Sequence, residues 1–361
     1  LVCVLLSVVA DEHLFAGLDG DQYVNDVFPK LAVNSYKQNR QHQIIGPDNG
    51  VDVDQSGNLH VFHRGSRTWN TKSFSLDNRF NHIIEGPIKE ATHLVLNGKT
   101  GTLLQSLGAN QFYMPHGLTC DKQGNVWLTD VALHQPTLVL GEAFVPGSDQ
   151  KHFCKPTDVA VLESGDAIFV ADGYCNSRIV KFDSSGKYIQ EYGGDGGKLS
   201  FRKIVSSFSM LLHAVFNEAM ALPALAQLNV PHSLALFESI SMLCVADREN
   251  QRVLCFLIGS YPFSGKVLVE KDGLGRVYAI CSSGNTVKVK HEKFGGQLFG
   301  VSSFDDEDES TLFEINMNTL EVGFHTPNVV HAHDIAADKE GNLYIASMNP
   351  NQVTKLLNMA A

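Results

Sequence analysis

The feature that most constrains the fold of this chain is a short phrase that recurs along it. The phrase is an apolar strand, a tight turn rich in Gly, Asn or Asp, and a second apolar strand. Clear copies occupy residues 50–64, 117–130, 158–172, 233–247 and 334–347, and a weaker copy occupies 267–281. Each copy therefore predicts a β-hairpin.

The spacing of the copies predicts the architecture. Short strand pairs repeated every about 40–60 residues are typical of a β-propeller, in which each blade is one four-stranded sheet. Six copies predict an all-β, six-bladed propeller with NHL-like repeats. A pair of β-sandwiches is the alternative, but it does not explain why the phrase recurs. Residues 201–221 have helical periodicity and are interpreted as an insertion between blades, or alternatively as a partner-binding helix.

Charge and hydropathy limit the function classes. The formal net charge of −11 disfavours a nucleic-acid partner, which needs a basic face. The apolar stretch LVCVLLSVVA at 1–10 has the length of a signal-peptide core and is interpreted as a truncated signal remnant, with a buried N-terminal strand as the alternative. We expect no membrane span.

The cysteines fall into two groups. Cys244 and Cys255 bracket a predicted hairpin, and Cys154 and Cys175 flank another hairpin-like segment, so both pairs are disulfide candidates in an oxidising compartment. Cys3 would leave with the signal. The other two, Cys120 and Cys281, lie inside predicted strands and are expected to be buried thiols.

Three histidines occupy one position of the repeat. His116 in PHGL, His232 in PHSL and His333 in AHDI each begin the first strand of a copy, and these copies alternate around the predicted ring. Because innermost strands line the channel of a propeller, the three imidazoles are expected to converge there. Three neutral imidazoles with an open fourth position are typical of catalytic zinc, although the spacing leaves iron and manganese open.

Other polar residues mark the same channel. The carboxylate of Asp334 and the backbone carbonyls of Val51 and Leu118 form a candidate calcium site, and a turn-capping role for Asp334 is the alternative. Arg64, Tyr174 and Arg248 each follow the second strand of a copy and should share one rim. Two arginines there could hold a carboxylate, and a tyrosine could transfer a proton; bracing of blade turns is the alternative.

Seven motifs together resemble a known enzyme family. They are FHRG, PHGL, TDVALHQP, PGSDQKHFCKPTDVAV, DGYCNSRIVKF, VPHSLAL and CVADRENQRV, and the chain resembles peptidyl-α-hydroxyglycine α-amidating lyases over about 28–355. The propeller domain is expected to span 28–357. The resemblance implies a secreted or secretory-granule lyase that cleaves a peptide ending in α-hydroxyglycine to a peptide amide and glyoxylate. It also implies one zinc and one calcium ion, and we expect a stand-alone, monomeric lyase.

Matching of the motifs carries over the residues of the family. The zinc ligands are then His116, His232 and His333; the active-site residues are Arg64, Tyr174 and Arg248; the calcium ligands are Val51, Leu118 and Asp334; and the disulfides are Cys154–Cys175 and Cys244–Cys255.

The chain also departs from the pattern of the family. His331-Ala332 stands where the family usually has Met-Pro, and the insertion at 201–221 leads towards His232. Two other interpretations stay open, a non-catalytic NHL-type interaction module and a calcium-dependent propeller lactonase. The lactonase would need carboxylate and amide ligands in the channel, and the module would need no metal ligands there.

Overall fold

The structure is a computed structural model. It describes residues 2–7, 31–36, 50–132, 140–142, 144–193, 227–259, 264–283, 296–304, 309–327 and 329–358. The predicted insertion at 201–221 lies outside these residues. Within them no helix is long and apolar enough to cross a membrane.

The described residues form 23 strands. In chain order, the first twelve are β1 (Val2–Ser7), β2 (Leu31–Tyr36), β3 (Gly50–Val53), β4 (Asn58–Phe62), β5 (His93–Asn97), β6 (Leu103–Leu107), β7 (Pro115–Cys120), β8 (Asn125–Asp130), β9 (Asp158–Val161), β10 (Ala167–Asp172), β11 (Arg178–Asp183) and β12 (Tyr188–Gly193). The rest are β13 (Pro231–Phe237), β14 (Met242–Asp247), β15 (Arg252–Leu257), β16 (Val267–Lys271), β17 (Arg276–Ser282), β18 (Gln297–Ser303), β19 (Thr311–Asn316), β20 (Val322–His325), β21 (Ala332–Ala337), β22 (Leu343–Met348) and β23 (Asn351–Asn358). Helical turns are short: α1 (Gly173–Asn176) and 3₁₀ turns at Ile83–Glu85, Glu238–Ile240 and Arg248–Asn250.

The all-β propeller is confirmed, but the predicted number of blades is wrong. The described residues form five four-stranded blades, with strand orders β3-β4-β5-β6, β9-β10-β11-β12, β13-β14-β15-β16, β17-β18-β19-β20 and β21-β22-β23-β2. The sheet that carries the second repeat has only three strands, β7-β8-β1. Its outer strand is Val2–Ser7, antiparallel to β8, so part of the segment interpreted as a signal remnant forms a strand.

The prediction that the weak copy at 267–281 forms one hairpin is wrong. Its first half is β16, the outermost strand of one blade, and its second half is β17, the innermost strand of the next. The sequence phrase therefore crosses a blade boundary here. A strand–turn–strand pattern alone does not distinguish a hairpin within a blade from the connection between two blades.

The innermost strands close into a ring around the channel. Contacts run from β3 to β7, β9, β13, β17 and β21 and back to β3. The three histidine strands, β7, β13 and β21, alternate with the others in this ring. All three carry their histidines to one level of the channel, where the imidazole rings lie next to one another.

The first hairpin turn of three sheets has the same sequence and the same hydrogen bonds. In DQSGN, DKQGN and DKEGN the Asp side chain accepts the backbone N–H and the side-chain amide of the Asn four residues later. The Gly before that Asn has φ of +79° to +85° at Gly57, Gly124 and Gly341, a region that favours glycine. The repeated letters therefore encode a repeated turn.

The hydrophobic core lies between adjacent sheets. Phe169 of β10 and Phe256 of β15 are completely buried in one cluster that joins two neighbouring blades. Both predicted disulfides are confirmed. Cys244 and Cys255 are directly opposite on β14 and β15, with Cα atoms 4.0 Å apart, and the Cα atoms of Cys154 and Cys175 are 5.5 Å apart. Cys120 and Cys281 are unbonded to other cysteines and only partly buried.

Candidate metal centre and active site

Each of the three histidines lies where its strand shifts register against the next strand. The irregularities fall between Pro115 and Leu118 in β7, between Pro231 and Leu234 in β13, and between Ala332 and Asp334 in β21. A local bulge of this kind bends a strand and re-aims its side chain. The repeat thus places the imidazoles at one level of the ring.

The glycine after His116 allows a close approach of two inner strands. A Cβ atom at Gly117 would lie 2.5 Å from the carbonyl oxygen of Thr157, and one at Gly50 would lie 2.7 Å from the carbonyl oxygen of His116. Both distances are too short for any side chain. The phrase PHGL therefore places a histidine where backbone from both neighbouring strands packs against it.

The structure brings the three predicted zinc ligands together. The ring centroids of His116, His232 and His333 are 4.9–5.0 Å apart, and one ligand atom from each lies within 4.8 Å of the others. All three side chains are buried, at 2%, 2% and 5% exposure. Among the described residues this is the one group of three or more His, Cys, Asp or Glu side chains with such spacing.

Backbone carbonyls set the tautomer of two of these imidazoles. His116 Nδ1 donates to the Thr157 carbonyl at 2.7 Å, and His232 Nδ1 donates to the Tyr278 carbonyl at 2.6 Å. Burial, above all, holds the pKa of both imidazoles well below the usual range, so the rings are neutral. Each Nε2 atom therefore carries a lone pair, which is the state that binds a metal ion.

The hydroxyl of Tyr174 lies between the two Nε2 atoms. It is 3.0 Å from Nε2 of His116 and 3.1 Å from Nε2 of His232. Both nitrogens are acceptors in this tautomer, and a hydroxyl has one proton to give. The hydroxyl can therefore satisfy only one of the two nitrogens. A cation that binds both lone pairs fits this donor set. Burial raises the pKa of Tyr174, while Arg248 and Arg64 oppose that rise.

The two predicted arginines both lie near Tyr174. Arg64 is completely buried, its Nε donates to the Pro115 carbonyl at 2.8 Å, and burial lowers its pKa to about 10. The guanidinium of Arg248 lies 5.4 Å from the ring centroid of Tyr174. Both cations lie close enough to Tyr174 to oppose the rise of its pKa.

Two neighbouring arginines have the bracing role that the sequence left open. Arg178 Nε donates to the buried carboxylate of Asp172 at 3.0 Å, and Arg252 Nε donates to that of Asp247 at 2.7 Å. Both aspartates are completely buried at the ends of second strands. These ion pairs tie blade turns together, so arginines of the same rim differ in role according to their partners.

Sequence reasoning missed several residues of the site. Trp69 packs on both Arg64 and Tyr174, Tyr278 packs on Arg248 and His232, and Thr157 orients His116. Trp69 lies four residues after the motif FHRG, so its nearness in sequence to Arg64 was a usable signal. Tyr278 fell in the weak repeat copy that was assigned to the wrong strands, which hid its place on an innermost strand.

The predicted calcium residues lie on three adjacent inner strands. Asp334 Oδ2 accepts the N–H of Val51 at 2.8 Å, and the backbone of Leu118 packs directly on Gly50. Burial, with repulsion from Asp158 next, raises the pKa of Asp334 well above its usual range.

Two further carboxylates, those of Asp52 and Asp158, lie at the same level. Burial raises the pKa of Asp52 to about 6 and also raises that of Asp158. This set of three, called the carboxylate level below, is a favourable environment for a cation with oxygen ligands.

Comparison with known proteins identifies one repeat family and several relatives of this chain. Residues 153–182 match the NHL repeat model. The chain is 37% identical over 338 residues to peptidyl-glycine alpha-amidating monooxygenase of Mus musculus, covering 86% of this chain and 30% of the mouse protein. It therefore spans about a third of the length of that relative.

Two shorter relatives are covered along most of their length. A probable peptidyl-alpha-hydroxyglycine alpha-amidating lyase of Caenorhabditis elegans is 35% identical, covering 86% of this chain and 83% of the worm protein. Peptidyl-alpha-hydroxyglycine alpha-amidating lyase 2 of Drosophila melanogaster is 36% identical, covering 87% of this chain and 71% of the fly protein. The chain belongs to the peptidyl-α-hydroxyglycine α-amidating lyase family.

Proposed function

We propose that this chain is a zinc-dependent lyase that cleaves a peptide ending in α-hydroxyglycine into a C-terminally amidated peptide and glyoxylate. The observation that carries the proposal is the convergence of three imidazoles, one tyrosine hydroxyl and two arginines at the channel. Relatives named for this activity support the reaction.

The reaction breaks one C–N bond and moves one proton on balance. The carbinol O–H loses its proton, its electron pair forms the aldehyde C=O of glyoxylate, and the C–N electron pair leaves on the amide nitrogen. That nitrogen then takes up a proton to give the peptide amide. The protein must therefore hold the substrate carboxylate, accept a proton at oxygen and supply one at nitrogen.

Arg64 and Arg248 are suited to hold the carboxylate. Both lie near Tyr174, and guanidinium groups bind carboxylates with two parallel hydrogen bonds. Because Arg64 is completely buried, its charge acts with little screening by water. The pair would orient the carbinol carbon towards the three imidazoles and offset negative charge that develops as the bond breaks.

Tyr174 is suited to move the proton. Its hydroxyl oxygen is at hydrogen-bond distance from two ligand nitrogens, so a substrate hydroxyl bound at the same place would lie beside it. His116, His232 and His333 would hold the zinc ion, which supplies Lewis acidity that stabilises a deprotonated oxygen. Thr157 and Tyr278 keep two of these imidazoles oriented through their backbone carbonyls.

We further propose a calcium ion at the carboxylate level, held by Asp334 with the carbonyls of Val51 and Leu118. The repulsion between the buried carboxylates of Asp334 and Asp158 supports this assignment, because a divalent cation would relieve it. The two disulfides support a secreted or secretory-lumen location.

The test is product analysis with purified protein loaded with zinc. A synthetic peptide ending in α-hydroxyglycine should yield glyoxylate and peptide amide in equal amounts, faster than the spontaneous reaction. The same peptide ending in unmodified glycine is the matched control and should yield neither product. A zinc-loaded, folded protein that releases no glyoxylate above the spontaneous rate would refute the proposed activity.

A further inference from the structure

We propose that Trp69 and Tyr278 are positioning residues that hold the two active-site arginines, Trp69 acting through Arg64 and Tyr278 acting through Arg248. These two residues, called the aromatic supports below, would set the affinity for the terminal carboxylate of the substrate. The inference rests on the proposed function and assigns a specific task to two residues that neither the repeat nor the histidine pattern identifies.

Tyr278 occupies the position in β17 that the histidines occupy in their own strands. The pairing of β17 with β18 shifts register between Val277 and Ala279, so Tyr278 is at the irregularity. Its ring centroid lies 5.9 Å from that of His232 and 6.3 Å from that of His333. A fourth inner strand thus directs a side chain to the metal centre, and that side chain is aromatic.

The rings of Tyr278 and Tyr174 both contact the guanidinium of Arg248. Arg248 Cζ lies 5.5 Å from the centroid of Tyr278 and 5.4 Å from that of Tyr174. Both distances are within the range in which a cation is attracted by the face of a ring. Glu249 Oε1 accepts a hydrogen bond from Arg248 Nε at 2.8 Å. The guanidinium is therefore fixed by two rings and one carboxylate.

Trp69 has the corresponding place at Arg64. Arg64 Cζ lies 4.9 Å from the ring centroid of Trp69, and the rings of Trp69 and Tyr174 are 5.0 Å apart. Trp69 lies in the segment between β4 and β5, which leaves the blade at the rim where β3 begins. The ring of Trp69 is therefore supplied by a connection between two strands and not by a strand of the blade.

Support by rings suits an arginine that must bind a substrate carboxylate. Arg178 and Arg252 are held by buried aspartates, which use their guanidinium nitrogens as structural donors. A ring instead contacts the face of the guanidinium and leaves the N–H groups at its edge to bind a carboxylate. The rings thus restrict the orientation of the cation without competing for the donors that the substrate needs.

The experiment is a binding measurement on the zinc-loaded full chain. The probe is a peptide ending in unmodified glycine, which keeps the carboxylate and cannot be cleaved, and the control probe is the same peptide as its amide. Tyr278→Leu should weaken binding of the glycine peptide by about 10-fold, the scale of a partly desolvated cation–π contact, and leave binding of the amide unchanged. Tyr278→Phe keeps the ring and should stay within about 3-fold of wild type.

A double-mutant cycle tests whether Tyr278 acts through Arg248. With Arg248→Met already present, Tyr278→Leu should cost little more binding of the glycine peptide, because the shared interaction is already lost. Full additivity, equal weakening of both probes, or wild-type affinity in Tyr278→Leu would overturn the role of Tyr278. Trp69→Leu and Trp69→Phe, in a cycle with Arg64→Met, repeat the test independently if a Tyr278 variant does not fold.

Glyoxylate release by wild type separates this inference from the proposed function. If wild type turns over the α-hydroxyglycine peptide and the aromatic variants bind the glycine peptide normally, only the aromatic supports are refuted. If wild type releases no glyoxylate, the reaction itself is refuted, whatever the aromatic variants bind. A KM increase of about 10-fold in Tyr278→Leu with little change in kcat would further support a role in carboxylate affinity.

Discussion

The channel has two levels of converging side chains, and they differ in how the protein keeps them together. At the histidine level, the imidazoles of His116 and His232 are neutral, and backbone carbonyls accept their Nδ1 protons. At the carboxylate level, Asp52, Asp158 and Asp334 accept backbone N–H groups from neighbouring inner strands. The first level presents nitrogen lone pairs, and the second presents buried negative charge.

This difference leads to different expectations for a cation at each level. Neutral imidazoles do not repel one another, so we expect the histidine level to fold without a metal ion and the proposed zinc ion to serve the reaction. Buried carboxylates repel one another, and their raised pKa values show that holding them ionised costs free energy. We therefore expect loss of zinc to affect activity most and loss of calcium to affect stability most.

The largest expected effect is at the histidine level. His232→Ala should lower glyoxylate release by about 10³-fold or more, because the Lewis acid contributes several kcal/mol to the transition state. The matched control is His152→Ala, since His152 pairs with Asp149 and Glu142 and is not in the metal centre. Activity in His232→Ala close to that of the control would contradict the assignment.

The next effect concerns the hydroxyl between the two imidazoles. Tyr174→Phe keeps the ring and its packing on Trp69 and should lower turnover by about 10²-fold or more, the scale of a positioned proton-transfer group. Zinc content should equal that of wild type, because the three imidazoles remain. Rates are compared at equal zinc occupancy. Turnover within a few-fold of wild type would assign the proton transfer to another group.

A smaller effect separates the two levels directly. Calcium should raise the thermal midpoint of wild type at pH 7 by several degrees, the usual consequence of a few kcal/mol of ligand binding. In Asp334→Asn the calcium-dependent shift should disappear, and with chelator present the variant should be no less stable than wild type because the repulsion with Asp158 is gone. The same calcium shift in both proteins would contradict the proposed site.

The smallest effect is a pH dependence at the carboxylate level. Since the pKa of Asp52 is raised from 3.8 to about 6, the folded protein holds its proton more tightly, and stability is lost as pH rises from about 4 through 6. With chelator present, Asp52→Asn should therefore gain stability relative to wild type over that range. Thermal midpoints at pH 4, 5, 6 and 7 measure this, and a constant difference between the two proteins would refute it.

The buried histidines give the opposite pH dependence. Burial lowers the pKa of His93 from 6.5 to about 3 and that of His63 to about 4. The unfolded chain then binds more protons, so their contribution to stability is present above about pH 6.5 and is lost as pH falls towards 3. The Asp52→Asn comparison isolates the carboxylate level because both proteins share these histidines.

Much of the histidine level could be predicted from the sequence, and the reason is the repeat. Equivalent letters in PHGL, PHSL and AHDI occupy equivalent bulges, so a position in the phrase translates into a position in space. The turns with Gly57, Gly124 and Gly341 were readable for the same reason. The same local pattern forms the same local structure in each of these copies, because each copy occupies an equivalent place between neighbouring blades.

The remainder depends on contacts that no local pattern encodes. Strand β17 has the right alternation but follows an outer strand, so its place in the ring depends on which blade it joins. The three-stranded sheet was missed because Val2–Ser7 pairs with a strand more than a hundred residues later in the chain. The contact of Trp69 with Arg64 likewise depends on how one long connection packs over the rim.

The proposed function requires that the three histidines hold a zinc ion on which the lyase reaction depends. The most direct test is a titration of chelator-treated, dialysed protein with zinc, with glyoxylate release and bound metal measured at each point. We predict that the rate rises in proportion to bound zinc and reaches its plateau at one ion per chain, and that His232→Ala shows neither binding at this site nor recovery. Full turnover before zinc is added, or a rate independent of bound zinc, would contradict the proposed zinc dependence.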